Sequence, residues 1–112
     1  MKPLSQDNRR IHSRRSVNVA ARLDHVDGSV DGVVENLGAG GVFFATEDLE
    51  LKADDGASVT LSFRGAKDGA DVELTRVGTV LRTELHFDGE TVKRTFAIRF
   101  DEVASLDGFE FA

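Results

Sequence analysis

Four arginines lie within seven residues near the amino terminus: Arg9, Arg10, Arg14 and Arg15. A guanidinium is a permanently charged planar fork that can hold a phosphate through two hydrogen bonds, pair with the O6 and N7 edge of guanine, or lie flat on a base. The cluster therefore indicates an arm that binds an anionic partner carrying purine rings. Taken alone, it is also compatible with a solvated basic tail that recognises nothing.

A second stretch with binding chemistry runs from Asn36 to Gly41 and contains three glycines within four positions. Such a turn leaves its backbone open to close approach, and free N–H groups there suit an anion. The amide of Asn36 offers a donor and an acceptor to the edge of a base. A β-branched and aromatic segment follows the turn, which argues against a dinucleotide-binding loop that opens a helix. Taken alone, this stretch could be only a hairpin turn.

Charge is distributed unevenly along the 112-residue chain, whose formal net charge is −6. The first 23 residues contain six basic residues and one acidic residue, so the remainder is strongly acidic. Proteins that coat nucleic acid are usually basic overall. The local basic cluster therefore fits a small polyanion better than a long duplex.

Composition excludes several functional classes. The absence of cysteine removes disulfides, thiolate nucleophiles and cysteine-based zinc sites. His12, His25 and His86 lack the spacing of metal ligands, and no serine is accompanied by an evident base, so we expect no catalytic residue, metal or cofactor. The longest apolar runs fall far short of the roughly 20 residues that span a bilayer. We expect a cytoplasmic protein without enzymatic activity.

Six segments with strand patterns must position the two motifs. Most alternate apolar and polar residues at a period of two, and the others are short apolar runs beside turn signals. The predicted strands are Val17–Leu23, Val30–Leu37, Val42–Thr46, Ala57–Arg64, Val72–Phe87 and Thr91–Phe100. Several Asp-Gly pairs, which are strong hairpin signals, lie between them and predict an antiparallel meander. A slip of phase within the fifth segment predicts a bulge or bend at Gly78.

These elements predict an all-β, six-stranded antiparallel barrel, because closure removes the unpaired edges of an open sheet. Residues 1–8 are expected to be a flexible tail. Residues 9–112 are expected to form one domain, with a basic arm at 9–16 and the barrel at 17–100. We expect no more than one helical turn after residue 100.

Strand periodicity also assigns side chains to the two faces of the sheet. Arg99 falls on an outward position of the last strand, where it could meet a ligand or only solvent. Five phenylalanines fall at strand periods and are assigned to the core, namely Phe43, Phe44, Phe63, Phe96 and Phe100.

Together, the arm and the turn resemble the PilZ domain family, which pairs an RRxxxR arm with a downstream (D/N)xSxxG turn on a six-stranded antiparallel barrel. The stretch Arg9-Arg10-Ile11-His12-Ser13-Arg14 matches the arm in full. The stretch Asn36-Leu37-Gly38-Ala39-Gly40-Gly41 matches the turn at Asn36 and Gly41 but has Gly38 in place of the serine. With the late segment from Phe96 to Phe100, the resemblance covers about residues 8–100.

The resemblance implies binding of cyclic di-GMP, a bacterial second messenger with two guanines and two phosphates. Arg10 and Arg14 would form the main clamp. Arg9 would add a guanine contact, which in similar proteins accompanies two ligands per domain. The base-edge side of the site would be formed by the turn residues Asn36, Gly38 and Gly41.

The implied role is that of an adaptor that relays the messenger to a separate, unidentified effector protein in motility, adhesion or exopolysaccharide control. No nucleic acid and no membrane span are expected. Gly38 opens an alternative, a degenerate family member that binds no cyclic di-GMP and serves as a protein-interaction module. A further alternative is an unrelated small barrel whose arm touches nucleic acid, although the arm lacks the interleaved aromatics that favour it.

Overall fold

The protein is described by a computed structural model that covers residues 14–51, 53–103 and 109–111. These residues form seven strands and no helix. The predicted tail at 1–8 and most of the predicted arm, including Arg9 and Arg10, lie outside this part of the chain. The strands are β1 (Arg14–His25), β2 (Gly28–Gly38), β3 (Gly41–Thr46), β4 (Ser58–Lys67), β5 (Ala70–Asp88), β6 (Thr91–Phe100) and β7 (Phe109–Glu110).

The first six strands form one closed antiparallel ring in the order β1-β2-β3-β6-β5-β4. Pairing between β1 and β4, from Ala21 opposite Phe63 to Asp24 opposite Thr60, closes the ring. The short β7 is added where its residues pair with Ala66 and Lys67 of β4. The prediction of an all-β, six-stranded antiparallel barrel is confirmed.

The core fills the inside of the ring, and burial alternates most clearly in β4, where Val59, Leu61 and Phe63 are buried. In β6, Phe96, Ile98 and Phe100 are buried, whereas Arg99 between them is exposed. The rings of Phe44 and Phe96 pack in a tilted arrangement with their centroids 6.2 Å apart. Burial of aromatic side chains from facing strands is the main favourable term that holds such a small barrel together.

All six predicted segments are strands, but two chain regions differ from the prediction. Strand β1 begins at Arg14, inside the residues predicted as an arm, because Arg14–Ser16 pair with the end of β2 although they carry no apolar stripe. A backbone ladder needs only a partner strand, not an amphipathic pattern. After residue 100, where at most a helical turn was expected, Phe109 and Glu110 form β7.

The predicted irregularity in β5 lies at a different residue. Gly78 pairs in register with both Val59 and Phe100, and the bulge falls between Val80 and Arg82. A Cβ atom at Gly78 would lie 2.7 Å from the carbonyl oxygen of Arg99. The glycine is therefore explained by the close approach of β6 rather than by a bend.

Asp-Gly pairs make hairpin turns at several predicted positions. Asp68 and Gly69 join β4 to β5 with positive φ angles of 55° and 82°, as a two-residue hairpin of right-handed twist requires. Asp31-Gly32 instead lies within β2, where Gly32 pairs with Ala21. The dipeptide is thus a turn signal only where the flanking segments can pair with each other.

Candidate ligand-binding site

The pairing of β1 with β2 brings the end of the arginine motif to the glycine turn. Arg14 lies directly opposite Gly38, and Ser16 lies directly opposite Asn36. Residues opposite each other in an antiparallel pair have Cα atoms about 4.5 to 5.5 Å apart. The two motifs, more than twenty residues apart in sequence, are therefore neighbours along one edge of the barrel surface.

The glycine turn is short and is tied to the last strand of the ring. Strand β2 ends at Gly38 and β3 begins at Gly41, so only Ala39 and Gly40 connect them. The backbone N–H of Phe100 donates a hydrogen bond of 2.9 Å to the carbonyl oxygen of Gly40. This bond fixes the turn relative to β6 before any ligand is present.

A single register row crosses five strands beside this turn. Each residue of the row lies opposite the next in an antiparallel pair. In order from β1 through β2, β3 and β6 to β5, the row consists of Ser16, Asn36, Phe43, Ala97 and Arg82. The row therefore gathers onto one outer surface residues that are dispersed between positions 16 and 82 of the chain.

Three irregularities of strand register border this row. They lie between Ser16 and Val19 in β1, between Val34 and Asn36 in β2, and between Val80 and Arg82 in β5. Bulges bend a strand locally, change the direction of its side chains and occur often beside functional sites. Their concentration here distinguishes this surface from the rest of the ring.

Small residues form the centre of the surface, and basic residues flank it. Gly38, Gly41 and Ala97 are small, lie on three adjacent strands and are buried. Arg99 lies opposite Gly41, is exposed and makes no ion pair within the described part of the chain. A ligand on this surface would meet the exposed guanidinium of Arg99 at its margin.

Arg82 and Phe43 form the most specific side-chain feature of the surface. The guanidinium carbon of Arg82 lies 5.6 Å from the centroid of the Phe43 ring, within the range of a cation–π contact. The Nε atom of Arg82 is also 3.6 Å from a carboxylate oxygen of Glu84. Both contacts hold the guanidinium plane near Asn36, which lines the same cleft.

That cleft has a volume of about 270 Å³ and is lined by residues of β2, β3, β5 and β6. Whole ligand pockets typically measure about 300 to 1,000 Å³. The cleft is therefore suited to one ring system of a ligand whose remainder lies on the open surface. Its lining residues are Asn36, Val42, Phe43, Leu81, Arg82, Ala97 and Ile98.

An ion pair connects the bulge of β2 to the base of the β5–β6 hairpin. Lys93 donates a hydrogen bond of 2.9 Å to Glu35, and both side chains are more than half buried. Glu35 immediately precedes Asn36 and is the residue that the register of β2 with β3 leaves unpaired. The pair holds the bulge, and with it the position of Asn36, against β6.

A larger cleft of about 550 Å³ lies elsewhere, along the seam between β1 and β4. Its charged residues have both signs, and Arg22 and Asp24 are joined by an ion pair of 3.1 Å. Opposite charges that already neutralise each other give little attraction for an anion. Size alone therefore does not identify the candidate site.

The sequence-predicted site residues fall into two groups. Arg9 and Arg10 lie outside the described residues, and Arg14, Asn36, Gly38 and Gly41 are brought together by strand register. Their function as ligand contacts stays a prediction.

The assignment of Phe43 to the core is wrong. Phe43 is only partly buried and lies on the outer row beneath Arg82, whereas Phe44 next to it fills the core. Sequence analysis also missed Arg82, because the bulge in β5 shifts the face on which this side chain emerges. A basic residue following a break in strand phase was the available signal.

Two structural absences complete the description of the surface. Within residues 14–51, 53–103 and 109–111, no three histidine or acidic side chains are close enough to hold a metal ion. The same residues contain no helix long and apolar enough to cross a membrane.

Comparison with protein families gives a match that covers most of the chain. The model of the PilZ domain family matches residues 8–108, which include the arginine motif and the glycine turn. Among curated proteins, no sequence relative matches the chain.

Solved structures share the architecture at low sequence identity. The Bacillus subtilis inhibitor of motility (MotI/DgrA) has a TM-score of 0.68 and 20% identity, with 86% of this chain and 44% of that one covered. The PilZ domain of Escherichia coli YcgR with c-di-GMP has a TM-score of 0.64 and 16% identity, covering 86% and 80%. The Borreliella burgdorferi PlzA protein in complex with c-di-GMP has a TM-score of 0.62 and 7% identity, covering 91% and 51%.

At these identities the likeness shows a common fold. This chain spans less than half of the MotI/DgrA chain and about half of the PlzA chain. What the larger proteins do as a whole therefore does not transfer to it directly.

Proposed function

The chain belongs to the PilZ domain family, and from this premise we propose that it is a receptor for cyclic di-GMP. The family is one of ligand-binding receptors rather than enzymes, so we assign no catalytic role to any residue. Two of the structural neighbours, the YcgR PilZ domain and PlzA, were solved with c-di-GMP. A cytoplasmic location, first suggested by the absence of cysteine, is part of the same proposal.

One observation carries the proposal: the register that places Arg14 opposite Gly38. The arginine motif and the glycine turn are each unspecific alone, since a basic tail and a tight hairpin are common. Their adjacency supports a single site in which guanidinium groups face backbone N–H groups and an amide. That combination complements a phosphate joined to a purine.

In the proposed complex, Arg10 and Arg14 clamp the phosphates and guanine faces, and Arg9 adds a guanine contact. The amide of Asn36 hydrogen-bonds the edge of a base. Arg82, stacked on Phe43 beside Asn36, provides a planar cation over which a guanine ring can lie.

The turn offers less hydrogen bonding than the family motif. With Gly38 in the serine position, a hydroxyl is missing, and one neutral hydrogen bond contributes on the order of 0.5 to 1.5 kcal/mol. This difference corresponds to roughly a 2- to 13-fold loss of affinity. Because the charge-assisted contacts of the arginines are stronger, at about 1.5 to 3 kcal/mol each, binding is weakened rather than abolished.

The proposed output is a change of surface that a separate effector protein reads. In this proposal, the arm closes over the ligand and onto the surface where β1 pairs with β2. The effector then binds the altered surface. Motility is the process named by one neighbour, the inhibitor of motility. The resemblance of this chain to the family also implies adaptors of this kind in adhesion and exopolysaccharide control.

The second candidate function is that of a protein-interaction module without ligand. It is favoured by Gly38, which removes the motif hydroxyl and is itself buried beneath the surface. In this case the same barrel would bind its effector constitutively.

Isothermal titration calorimetry with cyclic di-GMP separates the two functions. We expect saturable binding whose stoichiometry distinguishes one ligand from two per domain. Arg10→Ala and Arg14→Ala should each weaken binding by about 12- to 160-fold, the equivalent of one charge-assisted hydrogen bond.

Arg64→Ala is the matched control for these variants. Arg64 is an exposed arginine on β4, at the seam with β1, and lines the larger cleft rather than the proposed site. Its removal should leave the affinity unchanged. No heat of binding to the parent protein at about 100 μM ligand would support the interaction module instead.

A further inference from the structure

Within the described part of the chain, one edge of the long strand β5 is unpaired over its second half. Pairing with β4 ends at Thr79 opposite Ser58, and the last bonds on that side involve Val80, whose N–H donates to the carbonyl oxygen of Ala57 and whose carbonyl oxygen accepts from the N–H of Gly56. From Leu81 to Asp88, β5 pairs only with β6 among the described residues. The β5–β6 hairpin thus projects from the ring with a row of free backbone groups along one side.

This edge carries large apolar side chains that are exposed. The relative exposures of Leu81, Leu85 and Phe87 are 48%, 47% and 74%. Native proteins usually shorten, charge or cover a strand edge of this kind, because free N–H and C=O groups beside apolar side chains pair readily with another strand. The edge has the character of a surface that another strand covers.

The charges along the edge are ordered about Leu85. Glu84 and His86 lie one residue from Leu85 on opposite sides, and Arg82 and Asp88 lie three residues from it on opposite sides. Contacts of 3.6 Å from Arg82 to Glu84 and 3.4 Å from His86 to Glu84 show that these side chains share one face. Along that face, basic and acidic residues alternate. Each basic residue on one side of Leu85 is as far from it as an acidic residue on the other side.

This order is self-complementary for two antiparallel copies of the strand. With a two-fold axis at Leu85, Leu85 lies opposite itself, Glu84 lies opposite His86, and Arg82 lies opposite Asp88 of the second copy. The Glu84–His86 pair and the Arg82–Asp88 pair each occur twice, once on each side of the axis. Arg82 opposite Asp88 brings opposite charges together, which is stabilising across an antiparallel pair, and a ring N–H of His86 can donate a hydrogen bond to the carboxylate of Glu84.

Neighbouring registers lack this match. A two-fold axis normal to the sheet places side chains of the same face opposite each other. The axis must therefore lie at a residue that faces its own equivalent, and the neighbouring choices are Glu84 and His86. A centre at Glu84 puts Glu84 opposite itself and Arg82 opposite His86. A centre at His86 puts Glu84 opposite Asp88. Both alternatives place like charges across the interface, which is unfavourable.

We propose that the free edge of β5 from Leu81 to Asp88 is a self-association surface, on which a second copy of this chain docks antiparallel with its two-fold axis at Leu85. The two barrels are then joined through one continuous sheet, with Leu85 paired with its own equivalent and Phe87 opposite Thr83. The inference does not depend on the ligand, since it uses only strand pairing, exposure and charge order.

Cysteine cross-linking tests both the association and its register, because the chain contains no cysteine. In the proposed dimer, the two copies of residue 85 have Cα atoms about 4.5 to 5.5 Å apart, within the range for a disulfide. Leu85→Cys should therefore form a disulfide-linked dimer under mild oxidation. The copies of residue 87 are displaced by four residues, or about 13 Å along the strands, so Phe87→Cys should not.

Val26→Cys provides the background rate of cross-linking for an exposed position, since Val26 is 88% exposed in the β1–β2 turn. Selective cross-linking of Leu85→Cys supports the proposal. Cross-linking of Leu85→Cys no faster than Val26→Cys overturns it. Faster cross-linking of Phe87→Cys than of Leu85→Cys overturns the proposed register.

Sedimentation analysis of charge variants gives an independent test. Glu84→Lys should raise the dimer dissociation constant by about 2- to 30-fold, because it replaces the carboxylate that faces His86 in both symmetric pairs by a group that cannot accept a hydrogen bond. Combining Glu84→Lys with His86→Glu should restore the parent value. Asp71→Lys makes the same change of charge at an exposed site where β5 is paired with β4, and it should have no effect. A parent protein that stays monomeric up to about 1 mM overturns the proposal.

Discussion

Arg82→Ala is expected to reduce the affinity for cyclic di-GMP by up to about 30-fold. The proposed contact is a cation–π contact between the guanidinium and a guanine ring that covers it, worth about 2 kcal/mol when desolvated, and 1.4 kcal/mol corresponds to a factor of ten. In the free protein the same group is held 5.6 Å above Phe43 and 3.6 Å from Glu84. The ligand therefore meets a guanidinium that is already oriented.

The effect of this substitution on folding should be small by comparison. The side chains of Arg82 and Glu84 are 56% and 51% exposed, and an exposed ion pair contributes about 0 to 1 kcal/mol. An exposed cation–π contact adds about 0.5 to 1 kcal/mol. Thermal unfolding should consequently show a modest shift while the affinity falls strongly.

Arg82→Lys separates the charge of the side chain from its planar shape. Lysine keeps the charge but lacks the planar group that stacks and the paired donors of a guanidinium. The affinity of the Arg82→Lys variant for cyclic di-GMP should therefore lie between those of the parent and Arg82→Ala. A double-mutant cycle with Phe43→Leu isolates the coupling between Arg82 and the ring beneath it. We expect the loss from Arg82→Ala to be smaller when Phe43 is already absent.

Asp88→Ala is the control that separates ligand binding from self-association. It removes the proposed partner of Arg82 across the dimer axis but lies outside the candidate site. Calorimetric titration of all variants at equal protein concentration provides the affinities. If Arg82→Ala bound the ligand as tightly as the parent while Arg14→Ala did not, the placement of a guanine over Arg82 and Phe43 would be refuted.

Three further predictions concern the turn, the core and strand packing. Gly38→Ser should tighten cyclic di-GMP binding by about 2- to 13-fold in calorimetry, because it supplies the missing hydroxyl. A serine fits the backbone here, since Gly38 ends β2 and pairs with Arg14 in extended backbone. Unchanged affinity would mean that the motif hydroxyl makes no contact with the ligand. Phe96→Ala should lower the free energy of unfolding by about 3 to 5 kcal/mol in urea denaturation, since the side chain is fully buried against Phe44. Gly78→Ala should cost about 1 to 3 kcal/mol in the same measurement, because its Cβ would lie 2.7 Å from the backbone of Arg99; a neutral result would mean that β6 moves away freely.

Much of the fold could be read from local patterns. The alternation in Thr91–Phe100 identified a strand and put Phe96, Ile98 and Phe100 inside, and burial agrees at each position. Where the pattern was irregular, the prediction failed. The phase slip in β5 was assigned to Gly78, although the bulge lies at Leu81, because a glycine can signal either a bend or a close neighbour and only the neighbour distinguishes them.

The candidate site was predicted less completely than the fold. The arginine motif and the glycine turn were found from residue types and spacing, but Arg82 and Phe43 were not. Phe43 and Phe44 are adjacent, and the sequence contains nothing that distinguishes the inward ring from the outward one. The pairing of Phe43 with Ala97, and of Ala97 with Arg82, creates that distinction.

The amino-acid sequence by itself determined the six strands of the ring, most of their turns and the two motifs that could bind an anion. These properties depend on period-two alternation and turn chemistry, which act over a few residues. The tertiary structure decided which strands are neighbours: β3 beside β6, β4 closing on β1, and Arg82 in the same row as Asn36. Such pairings join residues tens of positions apart, and they are chosen by the burial of one shared core rather than by any local preference of the chain.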